Sequence, residues 1–344
     1  MKKKSADRNK YYFYLTSVAV LALLLGSVVT IWLFSWGKNG DSRDSNAYNP
    51  PVAQENNFKP EEDIEKVSHP LTGEMVLKDS FGWPVAIMID NVKYSRPQAG
   101  LEKAGIIYEA LVEGGITRYL GIFDSFNLPS KIGPVRSARP YFIDFAEEYK
   151  GIFIHAGGSP SALSQLSSAN VYDLDGIRKE EYFWRDQSRE APYNLYISNT
   201  SINHFIEKQN IPKNFSSFSS WKFSQDKKNW PFHGPVVKIG FQEEVTWIYQ
   251  KENGFYRRQD NGLKAKNLII LETDTRTVDE IGRLFIRTQG KGPALFFQQG
   301  RVSGGQWEKK DGRTRFYDYK GSEISLIPGP TWIEIISPDT VVTY

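Results

Sequence analysis

The residue types best suited to chemistry gather in one loop, Ile132-Gly-Pro-Val-Arg136-Ser137-Ala-Arg139-Pro140. The loop runs into residues 140–149, where Phe142, Phe145, Ala146 and Tyr149 fall at helical spacing. Two guanidiniums therefore flank a helix start, where free backbone N–H groups and the positive dipole end attract an anion. Ser137 is the candidate N-cap. The corresponding chemistry is a phosphate or carboxylate clamp made of bidentate guanidinium forks. The alternative is that Arg136 and Arg139 pair with internal acids and order the loop.

A second loop, His155-Ala-Gly157-Gly158-Ser159-Pro160, repeats the geometry of a strand feeding a helix. Its glycines let backbone approach a ligand and Ser159 can cap the helix; a tight capped turn with an internally bonded histidine is the plainer reading. Glu109 and Glu113 stand four residues apart, with Arg118 five further on. That spacing permits a paired-acid or divalent-metal site, or simple neutralisation of the arginines. Asp175 is a third candidate acid. Arg185 beside Trp184 offers a cation–π or sugar-stacking surface, or closes the edge of the core. The expected ligand-binding set is Arg118, Arg136, Ser137, Arg139, His155, Gly157, Gly158, Ser159 and Arg185; the candidate catalytic acids are Glu109, Glu113 and Asp175. No cofactor and no metal is expected.

The elements that must position these residues alternate in the α/β (or α+β) manner over residues 68–210. Runs at 85–89, 105–112, 116–126 and 151–156 read as strands, and 140–149, 160–168 and 202–209 as helices. Residues 211–235 mix Ser, Lys, Asn and Pro with aromatics and read as a junction. From Val236 to the last residue, short alternating runs separated by Gly and Asn turns predict a small, mostly-β domain over 236–344.

No charged residue occurs between Tyr11 and Gly37, which predicts one N-terminal transmembrane helix over 11–36. Bulky residues at 31–36 disfavour a cleaved signal. The basic tail 1–10 places the N-terminus in the cytoplasm and the rest outside, behind a polar, disordered spacer at 37–67. The chain holds 43 Lys and Arg against 40 Asp and Glu, but the tail alone contributes five basic residues and one acidic, so the remainder is near neutral. Bulk charge therefore gives no case for nucleic acid. The absence of cysteine rules out thiol nucleophiles and a lipid-modified cysteine. Nucleophile-elbow, zincin, Walker A and dinucleotide fingerprints are all missing.

The ordered motifs His69-Pro-Leu-Thr-Gly73, Arg96-Pro-Gln98, Tyr108-Glu109-x-x-Val-Glu113-Gly-Gly-Ile-Thr-Arg118, Ile132 to Pro140, His155 to Ser159, Phe183 to Asp186 and Pro328 to Trp332 closely resemble the YerB-type lipoprotein family. The resemblance implies an envelope protein with two linked domains and no established reaction. This chain departs from the family in lacking the lipid-accepting cysteine, for which the apolar helix substitutes. The leading expectation is a membrane-anchored extracytoplasmic binding or scaffold protein recognising an anionic or glycan-bearing envelope component. Candidate partners are cell-wall glycan, a lipid-linked precursor or a wall-synthesis protein. The alternatives are a phosphoryl or glycosyl-phosphate transferase or hydrolase, and an accessory subunit of a wall-synthesis complex.

Overall fold

The computed structural model describes residues 65–212 and 218–344. The expected tail, transmembrane helix and nearly all of the spacer lie outside these residues. Among the described residues no helix is long and apolar enough to cross a membrane. The end of the predicted spacer is already folded, since Lys66–Ser68 pairs antiparallel with Met75–Leu77.

The N-terminal half supplies β1 (Pro84–Asp90), β2 (Ile106–Leu111), β3 (Thr117–Asp124), α1 (Pro140–Glu147), β4 (Ile152–His155), α2 (Pro160–Leu166), β5 (Tyr172–Asp175) and α3 (Asn199–Lys208). The C-terminal half supplies β6 (Val236–Ile239), β7 (Val245–Gln250), β8 (Phe255–Arg258), β9 (Asn267–Glu272), β10 (Lys291–Gln298), β11 (Arg301–Lys310), β12 (Arg313–Asp318) and β13 (Thr331–Ile336). Strand occupies 41% of the described residues and helix 15%, so the molecule is mostly β, richer in strand than the alternating pattern of its first half predicts.

Eleven strands form one sheet in the order Phe232–His233, β11, β10, β9, β13, β2, β3, β1, β4, β5, with β12 beside β11. The two halves of the chain meet inside it. β13 pairs in parallel with β9 on one side and with β2 on the other, placing Glu334 directly beside Glu109. Period-two alternation assigns the faces. Tyr108, Ala110, Leu120, Ile333 and Ile335 point to the layer that holds α1. Ile107, Tyr119, Trp332 and Ile336 point to α3 and to a five-stranded sheet built from Lys264–Ala265, β8, β7, β6 and Val342–Thr343. β1 is buried along its whole length, as a strand covered on both faces must be.

The longest strand, β11, is not apparent in the sequence pattern. Gly304 and Gly305 interrupt its alternation because close neighbours leave no room for side chains: a Cβ on Gly304 would lie 2.5 Å from the Tyr319 hydroxyl, and one on Gly305 2.1 Å from the Tyr317 carbonyl. The segment read as a junction is partly core, with Phe218 and Trp221 buried against the α1 layer.

Candidate functional site

The carboxyl ends of β1, β4 and β5 lie at one end of the sheet, where ligands gather in α/β proteins, and most of the candidate residues meet there. The two predicted loops pair with each other. Ala138 N donates to the Gly157 carbonyl at 2.9 Å and Ala156 N to the Arg136 carbonyl at 3.0 Å. Ser137 is not the helix cap: its hydroxyl donates to the Ala156 carbonyl at 2.9 Å, and Arg139 holds the N-cap position ahead of Pro140. Ser159 does cap its helix, accepting from Ala162 N at 3.2 Å, so that helix start is internally satisfied.

Three guanidiniums converge beside these loops. Arg139 is bidentate to Glu113, with both bonds at 2.7 Å. Arg136 Nε lies 2.8 Å from Asp90 Oδ2, and its guanidinium sits 5.4 Å above the Tyr193 ring. Arg118 stands opposite Asp90 in the β1–β3 register, is 4% exposed and donates to the Ser137 carbonyl at 2.8 Å. Its Nε has no hydrogen-bond partner and no carboxylate lies within ion-pair distance. Burial pulls the Arg118 guanidinium down to about 10, the neighbouring Arg139 and Arg136 charges push the same way, and Asp90 opposes them. Burial would raise Glu113, but its hydrogen bonds from Arg139 and the charges of Arg139 and Arg118 hold it below the ordinary range. Three cations thus share two carboxylates, leaving one positive charge in surplus.

His155 is fully buried and stacks on Phe153. Its Nδ1 faces the Gly157 carbonyl at 2.7 Å and its Nε2 faces Asp173 Oδ1 at 2.8 Å. Both ring nitrogens of His155 are thus engaged within the fold. Gly157, at φ 65, turns its N–H to Asp175 Oδ1 at 2.8 Å, and the same oxygen accepts from Ile177 N at 2.9 Å. Gly158 bridges to Ala138. His155, Gly157, Gly158 and Asp175 therefore shape the loop beside the arginines.

Two candidates stand apart. Arg185 lies on a separate hairpin, Phe183–Arg185 with Leu195–Ile197, where it donates to Asn194 Oδ1 at 2.9 Å. Glu109 points to the opposite face of the sheet from Glu113. The shared face expected at this spacing is lost because β2 ends at Leu111, and Gly114 and Gly115, with φ near 73, turn the chain around Glu113. The three candidate acids do not come together, and among the described residues no group of three or more His, Asp or Glu is arranged to hold a metal.

Glu109 instead joins a buried cluster of residues that were not singled out from sequence. Arg258, fully buried on β8, donates through Nη1 to Glu109 Oε2 and through Nη2 to Oε1 at 3.2 Å, with Nε on Asp260 at 2.7 Å. Trp332, Tyr119 and Trp247 surround the guanidinium at 5.2, 5.7 and 5.9 Å. Glu334 accepts from Trp247 Nε1 at 2.9 Å, while its other oxygen has no partner. Burial and then the charge of Glu109 hold Glu334 well above the ordinary carboxylate range. Glu148 forms a second such cluster on the other face, with Lys309 at 2.6 Å and Thr314 Oγ1 at 2.6 Å. The neighbouring Arg313 stacks on Tyr149, Trp221 and Phe218. On each face, then, basic residues of the C-terminal half grip a glutamate of the N-terminal half. The signal for Glu334 was available in sequence, as a charge inside the apolar run Trp332-Ile-Glu-Ile-Ile336. So was that for Arg258, which shares the inward phase of Tyr256.

A cavity of about 360 Å³ opens over this cluster at the same end of the sheet. Asn91, Thr117, Arg258 and Asp260 line it, with Tyr94 and Tyr193 among its walls.

Two halves joined through one sheet, with polar clusters at the seam, are matched by a two-domain family. The model of the N-terminal domain of a protein of unknown function (DUF3048) covers residues 71–212, and that of its C-terminal domain covers residues 237–333; the chain belongs to this family. A relative named "Putative lipoprotein YerB", from Bacillus subtilis (strain 168), is 34% identical over 296 residues, spanning 80% of this chain and 87% of that protein. The crystal structure of YerB from Bacillus subtilis matches with a TM-score of 0.73 at 31% identity, covering 81% of this chain and all of that one.

Proposed function

We propose that the chain is a membrane-anchored, extracytoplasmic binding protein of the cell envelope, which recognises an anionic or glycan-bearing component at the arginine end of its main sheet. The relative's description as a lipoprotein supports the compartment. With no cysteine to carry a lipid, residues 11–36 serve as the tether here.

The observation that carries the reading is the surplus guanidinium of Arg118. A buried cation without a carboxylate is costly to the fold, and an anion entering between Arg118, Arg136 and Arg139 would supply the missing charge. Titration calorimetry on the full chain in detergent, with pyrophosphate and poly(glycerol phosphate) as probes, tests it. Binding should weaken with salt and fall at least about tenfold, ~1.4 kcal/mol, in Arg118→Met. Equal affinity in wild type and variant, with the fold verified by circular dichroism, refutes the assignment.

A further inference from the structure

The cavity over Asn91 and Thr117 adjoins the arginine cluster through Tyr193, which lines it and carries the Arg136 guanidinium over its ring, but it has a different character. Its charged walls balance: Lys93, Arg96 and Arg258 against Glu243, Glu244 and Asp260. Most of these charges are already spent on one another or on neighbours. Arg96 pairs with Glu243 at 2.8 Å and with Asn91, Arg258 holds Asp260, and Glu244 lies 3.3 Å from Lys238. A polyanion would meet three carboxylates here, and a polycation three cations. Neither is matched.

Of the two aromatic side chains at the mouth, Tyr193 carries the Arg136 guanidinium over its ring and Tyr94 projects into solvent. Tyr94 is 78% exposed, yet its ring lies 6.0 Å from that of Tyr193 at an angle of 33°. Together the two tilted rings offer an apolar surface beside a wall of amide, carboxylate and guanidinium groups. A second recess, lined by Gln98, Arg257 and Asn261 among others, shares Arg96 and Asp260 with the first, so the two adjoin along the seam of the halves.

From this we infer that the cavity is a saccharide subsite for a neutral, polyhydroxylated glycan segment. Pyranose rings offer an apolar C–H face to stack on a tyrosine face, whose π-cloud is negative, while their hydroxyls both donate and accept. That combination suits a charge-balanced wall which still presents both donors and acceptors. The volume of the first recess falls within the ~300–1,000 Å³ usual for small-ligand sites. A peptide fits less well, because the walls are the segments 91–96, 114–117 and 241–245, and they present no open strand edge for main-chain pairing. The inference rests on the reading of the chain as an envelope binding protein but not on the arginine cluster.

The test uses the full chain in detergent, with chitotetraose and cellotetraose as saccharide probes, tetra-alanine as the peptide probe and pyrophosphate as the anion probe, each followed by calorimetry and saturation-transfer NMR. At least one saccharide should bind, its affinity should fall at least about tenfold in Tyr94→Ala, and Tyr94→Phe should restore it, since stacking needs the ring and not the hydroxyl. Pyrophosphate affinity should be unchanged by either substitution. Because Tyr94 is largely exposed, neither change threatens the fold. No binding of either saccharide to wild type, equal saccharide affinity in Tyr94→Ala, or tighter binding of tetra-alanine would overturn the inference. The arginine reading stands or falls separately, on the pyrophosphate response of Arg118→Met.

Discussion

Replacing Arg258 by methionine should be among the most damaging single changes in the protein. Glu109 would keep Asn91 and Thr117 on Oε1 but lose both guanidinium donors, and its Oε2 would be left in a site with no solvent access. Breaking a buried pair in this way costs about 3–5 kcal/mol. The cation–π contacts with Trp332, Tyr119 and Trp247 go as well, offset in part by favourable sulfur–aromatic contacts of the new side chain. For a folded region of this size the loss lowers the unfolding temperature on the order of 10 °C. Adding Glu109→Gln should recover most of it, because the orphaned charge is removed and a neutral replacement of both partners is close to stability-neutral. Thermal unfolding followed by tryptophan fluorescence, on wild type, both single variants and the double variant, gives the cycle. A loss below ~1 kcal/mol in Arg258→Met, the size of an exposed pair, or additive effects in the double variant, would show that the cluster does not couple the two halves.

Glu334 gives a pH signature. Its ordinary value is 4.5 and burial raises it, so above that pH the unfolded chain releases a proton that the folded chain keeps. Stability therefore falls with rising pH, by about 1.4 kcal/mol per unit, up to the raised folded value. Glu334→Gln should be more stable than wild type at pH 8, with the difference closing towards pH 4; parallel stability curves would contradict this. Arg118→Met should leave the unfolding temperature unchanged or raised while weakening anion binding, the signature of a charge kept for function rather than for the fold; a drop of several degrees would mean that the charge serves the fold. Residues 65–212 expressed alone should lack a dispersed amide spectrum, because β2 loses β13 and exposes an apolar edge. Coexpression with residues 218–344 should restore the dispersion.

Local patterns were legible in the sequence where one physical cause dominates. β7 is one of the short alternating runs expected after Val236, and α1 and α2 begin at Pro140 and Pro160 as expected, whereas α3 begins at Asn199, ahead of its expected start at 202. The histidine loop lies at the carboxyl end of β4, as its strand-to-helix pattern implied, whereas the arginine loop follows β3, which runs antiparallel to β1, and reaches the same end through the stretch 125–135, which the pattern did not show. The partner of Glu109 was out of reach, since Arg258 lies 149 residues away and pairs of such separation leave no local trace. The same holds for the seam itself: nothing around Thr331–Ile336 distinguishes a strand between two halves of the chain from one inside a separate β domain. β11 was hidden for a different reason, because its glycines answer to Tyr317 and Tyr319 rather than to solvent.

The position of β13 also sets an order of events. The strand that completes β2 lies 225 residues further along the chain, from Ile106 to Thr331. A polypeptide emerging from its N-terminus can form β1 to β5 early, but β2 remains an unpaired, apolar edge until almost everything else has emerged. The wait is the hazard: an incomplete chain, or one delayed in transit, presents a template for wrong pairing with its neighbours. Assembly should therefore be slow, non-local and sensitive to holdase activity, with its last step the insertion of one short strand into the middle of a sheet.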